Sequence, residues 1–137
     1  MKSIIVDSNV LIDVFDGRQR WSEWSAEALS AALPGSLVIN QIVVAESAMY
    51  FNDITKVERA FAGIGLRRES LPWEAAQLAG IAHVAYRKGG GQRERVLPDF
   101  LIGAHAKVQG YRLLTRDAGR YRSYFADLDI IAPDTHP

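Results

Sequence analysis

The chain is 137 residues long, 48% hydrophobic and 23% charged, with 16 basic side chains balancing 16 acidic ones. That is too apolar for a disordered segment and enough for one real core, so residues 1–137 are expected to fold as one domain; a formal net charge of +0 argues against a protein that holds nucleic acid by bulk electrostatics and leaves room for a local basic patch. With no cysteine there is no disulfide, thiolate nucleophile or cysteine-held zinc, which leaves oxygen or imidazole for any metal.

The opening apolar run is interrupted at Asp7, and nowhere do ~18 apolar residues follow one another. Neither a signal peptide nor a membrane span is therefore expected, and the expected compartment is the cytoplasm. Ile4 to Val6 reads as a buried strand and Ser8 to Phe15 as a helix. Helix Trp21 to Leu33, strand Leu37 to Ile39, and helices Gln41 to Phe51 and Ile54 to Ile64 follow. Trp73 to Arg87 is expected as a helix after Pro72, and Asp99 to Gln109 as another after Pro98, stopped by Gly110. Between them lies RKGGGQRERVLP, Arg87 to Pro98, expected as a mobile loop. Strands Arg112 to Leu114 and Asp129 to Ile131 complete the pattern. Strands alternating with helices predict an α/β fold, with a mostly parallel central sheet covered by helices on both faces. Ligands of such sheets bind beyond the carboxyl ends of the strands.

Acids gather at that rim. Asp7 directly follows the first strand, and Asp117 comes soon after the strand ending at Leu114. Either could be an ordinary helix cap. Glu46 falls within the apolar face that Ile42, Val43, Met49 and Tyr50 suggest for its helix, so it is expected to be partly buried. Burial of a lone carboxylate costs several kcal/mol, so Glu46 needs a cation, a hydrogen-bond partner or a metal, and a salt bridge to an arginine is the plain alternative. Asp99, in the first turn of its helix, shares a face with Ile102 and Ala106 and points inward. Clustered carboxylates repel one another, a cost normally tolerated when a divalent cation sits between them. Oxygen ligands suit Mg²⁺ or Mn²⁺ and phosphoryl chemistry.

The segments IVDSNVLIDVF, VVAES, RVLPDFLIGAHA and LLTRDAGRY resemble, in order and spacing, the four acidic blocks of the PIN-domain ribonucleases, and among these the VapC-type toxins of toxin–antitoxin pairs. The resemblance runs nearly end to end. It implies a three-layer α/β sandwich acting as a Mg²⁺-dependent (or Mn²⁺-dependent) endoribonuclease on RNA, usually a homodimer, inhibited by a cognate antitoxin. By carry-over, Asp7, Glu46, Asp99 and Asp117 form the acidic quartet, with Asp7, Asp99 and Asp117 as metal ligands and Glu46 handling the attacking water. Thr115 matches a hydroxyl residue often found before the last acid. Ala118, Gly119 and Arg120 stand where many relatives carry a further acid, a departure that bears on a second metal.

Arg87, Lys88, Arg93 and Arg95, around the glycines, are the candidate RNA-phosphate contacts; an ordinary solvated charge run is the alternative. Trp21 and Trp24, with Tyr121, Tyr124 and Phe125, are expected in the core or at a dimer contact. Should an antitoxin bind, its arginine is expected between Asp7, Glu46 and Asp99, with Trp21, Trp24, Val43 and Met49 as candidate apolar anchors. His83, His105 and His136 lack paired metal-ligand spacing. A haloacid-dehalogenase-like phosphatase would need D-x-D where this chain has Asp7-Ser8-Asn9. A catalytically silent RNA-binding or antitoxin-binding module is the remaining alternative, and a metal titration separates it from an enzyme.

Overall fold

The computed structural model describes residues 2–92 and 96–137. In chain order these form β1 (Ile4–Val6), α1 (Ser8–Asp16), α2 (Ser22–Ala31), β2 (Leu37–Ile39), α3 (Gln41–Phe51), α4 (Ile54–Ile64) and β3 (Arg67–Arg68). Then come α5 (Trp73–Lys88), α6 (Leu97–Gln109), β4 (Arg112–Leu114), α7 (Gly119–Tyr124) and β5 (Ile130–Ile131). The five strands make one parallel sheet in the order β3-β2-β1-β4-β5. Helices flank it, as the α/β reading requires: α1 packs with α2 and α3, and α3 with α4, while α5 packs with α6 and α6 with α7.

The central strands are apolar throughout because both faces are covered. Every residue of β1 and β2 is buried, as are Leu113 and Leu114 of β4. Each such side chain contributes about 1.5–3 kcal/mol by leaving water. β1 pairs with β2 through Ile4 and Leu37 and with β4 through Ile5 and Leu113. It is thus the strand from which the order runs out both ways, and the crevice beyond the carboxyl ends of β1 and β4 is where such a sheet opens. Asn40 starts α3 by accepting from the Ile42 and Val43 amides at 2.9 and 3.1 Å, which fixes the helix that carries Glu46. Gly110, at φ 69°, ends α6 in the left-handed conformation and turns the chain into β4.

Several boundaries differ from those the sequence suggested. Arg87 and Lys88 lie in the last turn of α5 rather than in a loop, and α6 starts at Leu97 with Pro98 in its first turn. β3 and α7 have no counterpart in the sequence reading. The expected roles of Arg93 and Arg95 fall outside the described residues. No described helix is long and apolar enough to cross a membrane.

Candidate active site

A cleft of about 370 Å³ opens at the carboxyl ends of β1 and β4, and Asp7, Glu46, Asp99 and Asp117 all line it. The structure therefore brings the four sequence-predicted acids to one place. Asp7 leaves β1 with its amide donating to the Leu114 carbonyl at 2.9 Å, so the backbone at the end of β4 sets its position. It precedes α1 yet makes no side-chain cap bond, so the capping alternative does not hold. Its Oδ2 instead accepts from the Thr115 hydroxyl at 2.9 Å and the Tyr121 phenol at 2.8 Å. The carboxyl is only 3% exposed, and its pKa is pushed up to about 7, first by burial and then by the charge of Asp99, against the pull of those two donors.

Glu46 is half-buried. Its Oε1 accepts from the Ser8 hydroxyl at 2.8 Å, so a hydroxyl stands where the plain alternative put an arginine. Burial raises its pKa most, Ser8 lowers it, and Asp99 raises it again. Asp99 comes from the first turn of α6, and its Oδ2 accepts from Nη2 of Arg120 on α7 at 2.5 Å. Asp117 is exposed at the mouth, and its amide donates to Thr115 Oγ1 at 3.1 Å. Asn9 ties the rim together by donating to Thr115 Oγ1 at 3.2 Å.

The sequence reading missed Asp13, Arg116 and the second role of Tyr121. Asp13 is 1% exposed on α1; its Oδ2 accepts from Nε of Arg116 at 2.8 Å and from Ser25 at 3.0 Å. The pair fixes Arg116 at the edge of the cleft. An acid between Ile12 and Val14 in an otherwise apolar helix was the available signal. Tyr121 does belong to the core, as expected, but its phenol also touches Asp7 and stays protonated, because burial and the Asp7 charge push its pKa well up. Two expected anchors change character. Val43 is wholly buried and cannot line a surface groove, and Trp24 donates through Nε1 to the His136 carbonyl at 2.8 Å, packed against the core. Met49 and Tyr50, placed by the sequence on the apolar face, are 69% and 49% exposed; the buried side of α3 is Val43 and Ser47. Arg87 and Lys88 are exposed and do not line the cleft.

The donor set is all oxygen and the charge of Asp99 raises the pKa of both Asp7 and Glu46, which fits a hard divalent cation. Among the described residues, however, no three acidic or histidine side chains stand close enough to form a ready-made cage. Asp99 is engaged by Arg120 instead.

Acids gathered at the switch point of a parallel sheet stand where α/β folds of this kind bind their ligands. More narrowly, the chain belongs to the PIN-domain family, whose model matches residues 4–126. No curated protein matches the sequence. Among solved structures, the toxin–antitoxin complex from Klebsiella pneumoniae shares 25% identity, covers 96% of this chain and 98% of its own, and superposes with a TM-score of 0.65. VapBC-1 from nontypeable Haemophilus influenzae is 21% identical, with 94% and 96% coverage and a TM-score of 0.71. VapC20 of Mycobacterium tuberculosis, a sarcin-ricin loop cleaving toxin, is 16% identical, with 88% and 95% coverage and a TM-score of 0.71.

Proposed function

We propose that this chain, working as one PIN domain, is a Mg²⁺- or Mn²⁺-dependent endoribonuclease, the toxin of a cytoplasmic toxin–antitoxin pair. The observation that carries the reading is Asp7, sealed at the end of β1 with its pKa pushed up to about 7 by burial and by the neighbouring acids. A fold tolerates such a carboxyl where its charge has a use. Asp7, Asp99 and Asp117 are the residues that would hold the ion. Once bound, it supplies Lewis-acid activation of water and offsets charge on the phosphate. Thr115 and Tyr121 orient Asp7. Glu46, fixed by Ser8 and with a raised pKa, is suited to take a proton from the attacking water.

Arg116, pinned by Asp13, meets the RNA phosphate at the edge of the cleft, and Arg87 and Lys88, exposed in the last turn of α5, add basic contacts outside it. The toxin–antitoxin complexes among the structural neighbours support an antitoxin partner, and the family resemblance supports a homodimeric toxin. An acidic cleft that already accepts one guanidinium at Asp99 is suited to a partner's arginine, beside the exposed Met49 and Tyr50.

The test is RNA cleavage by the purified chain. Mg²⁺ should support it and EDTA abolish it, and Asp99→Asn or Glu46→Gln should each lower it at least ~100-fold. Co-expression with the adjacent reading frame should give a tight, inactive complex. EDTA-resistant cleavage would sink the metal mechanism; a neighbour that neither binds nor inhibits would remove the toxin role and leave the nuclease.

A further inference from the structure

The Arg120–Asp99 pair does more than join two helices. Both side chains are about a quarter exposed, at 26% and 22%, inside the cleft rather than on an outer face. Asp99 is also the acid whose charge raises the pKa of both Asp7 and Glu46. The guanidinium takes Asp99 Oδ2 and lies within the field of Asp117 as well, while its own Nε is buried without a hydrogen-bond partner among the described residues. It is therefore drawn into the cleft by the acids, not anchored by a separate hydrogen bond from behind. A second divalent ion on Asp99 and Asp117, beyond the one that Asp7 would help to hold, would have to sit against a full positive charge that cannot be deprotonated.

We infer that Arg120 is a resident cation of the acidic cleft: it occupies the Asp99–Asp117 side, so that the site accepts one divalent ion and the chain itself supplies the second positive charge. This rests on reading the cleft as a metal site. The same arrangement explains why the described acids do not form a ready-made cage, since Asp99 already has a partner. It also predicts how the metal-free protein behaves. Arg120 partly neutralises the cluster before any ion arrives, so removing it should leave Asp99 facing Asp7 and Glu46 without compensation.

The experiment counts Mn²⁺ bound to the full chain, by the electron paramagnetic resonance signal of free Mn²⁺, alongside melting curves in EDTA. Wild type and Arg120→Lys should bind one ion per chain. Arg120→Gln should bind two, the second more weakly, and its melting temperature should drop by several degrees in EDTA and recover with Mn²⁺. A purely structural link between α6 and α7 would instead lower the melting temperature equally with and without Mn²⁺, and that result overturns the proposal. So does a wild type that binds two ions, a count that needs no variant. If Arg120→Gln binds a single ion like wild type, the resident-cation role fails while the metal site stands. If no variant and no wild type binds Mn²⁺, both fall.

Discussion

A carboxyl group that meets two hydroxyl donors yet still has its pKa pushed up to about 7 is held at a cost to the fold. In the unfolded chain Asp7 titrates near 3.8. Between roughly pH 4 and 7 the folded state holds the extra proton, so stability falls as pH rises through that window and stays reduced above it. Three pH units correspond to about 4 kcal/mol at most. Asp7→Asn removes the charge and keeps an oxygen for Thr115 and Tyr121. In EDTA at pH 8 its melting temperature should exceed wild type by roughly 3–8 °C, shrinking to less than half of that near pH 5, as melts at the two pH values will show. Equal shifts at both would mean that charge is not the cause. Asp7, Asp99 and Glu46 were legible in the sequence because an acid that ends an apolar strand, or sits on an inward helix face, stands out against its neighbours. Asp13 and Tyr121 acquire their roles from Arg116 and Asp7, partners about a hundred positions away, and no local pattern marks such a pairing.

Among the elements, α6 brings its load of function to the site through a glycine. A Cβ at Gly103 would lie 2.8 Å from the Phe125 ring and 2.9 Å from the Tyr121 ring, both buried. Only a bare backbone lets α6 approach α7 this closely, with Asp99 one turn earlier on the helix and Tyr121 reaching past it to Asp7. Gly103→Ala should therefore destabilise by about 1–3 kcal/mol, despite alanine's better helix propensity, and should slow RNA cleavage more than the stability loss explains. Denaturant melts and single-turnover cleavage on the folded fraction separate the two effects; a stabilised variant would refute the packing argument. The strands Ile4–Val6 and Leu37–Ile39 were legible because central parallel strands are continuously apolar, and Arg112–Leu114 because Leu113 and Leu114 keep that pattern after a partly exposed first residue. β3 was not: it is two exposed arginines on the sheet edge, where charge is an advantage and no apolar run is needed. α7 has six residues, too few to show a helical period.

For the whole molecule, the sheet order places first and late segments side by side. β1 needs β4 as its neighbour, and Thr115 reaches back across 108 positions to Asp7. Chains cut before Arg112 keep three of the four acids, Asp7, Glu46 and Asp99, but lack the strand that holds Asp7 in place. Their induced expression should cause no growth arrest and no RNA cleavage, whereas an arrest would show that the cleft assembles without β4. The α/β class and parallel sheet were legible from the alternation of elements; the meeting of Glu46 with Asp99 was legible only through the family resemblance, since no local pattern tells that α3 packs with α6.

The β1–β4 pairing also sets a timetable. Translation runs from the amino end, so Asp7 leaves the ribosome 108 positions ahead of Thr115 and cannot be positioned until β4 has followed it out. On the proposed function, a nascent chain that still lacks β4 spares the messenger and ribosome that are making it. On the same proposed function, an inhibitor made from the same transcript has the interval between β1 and β4 in which to fold and wait beside it.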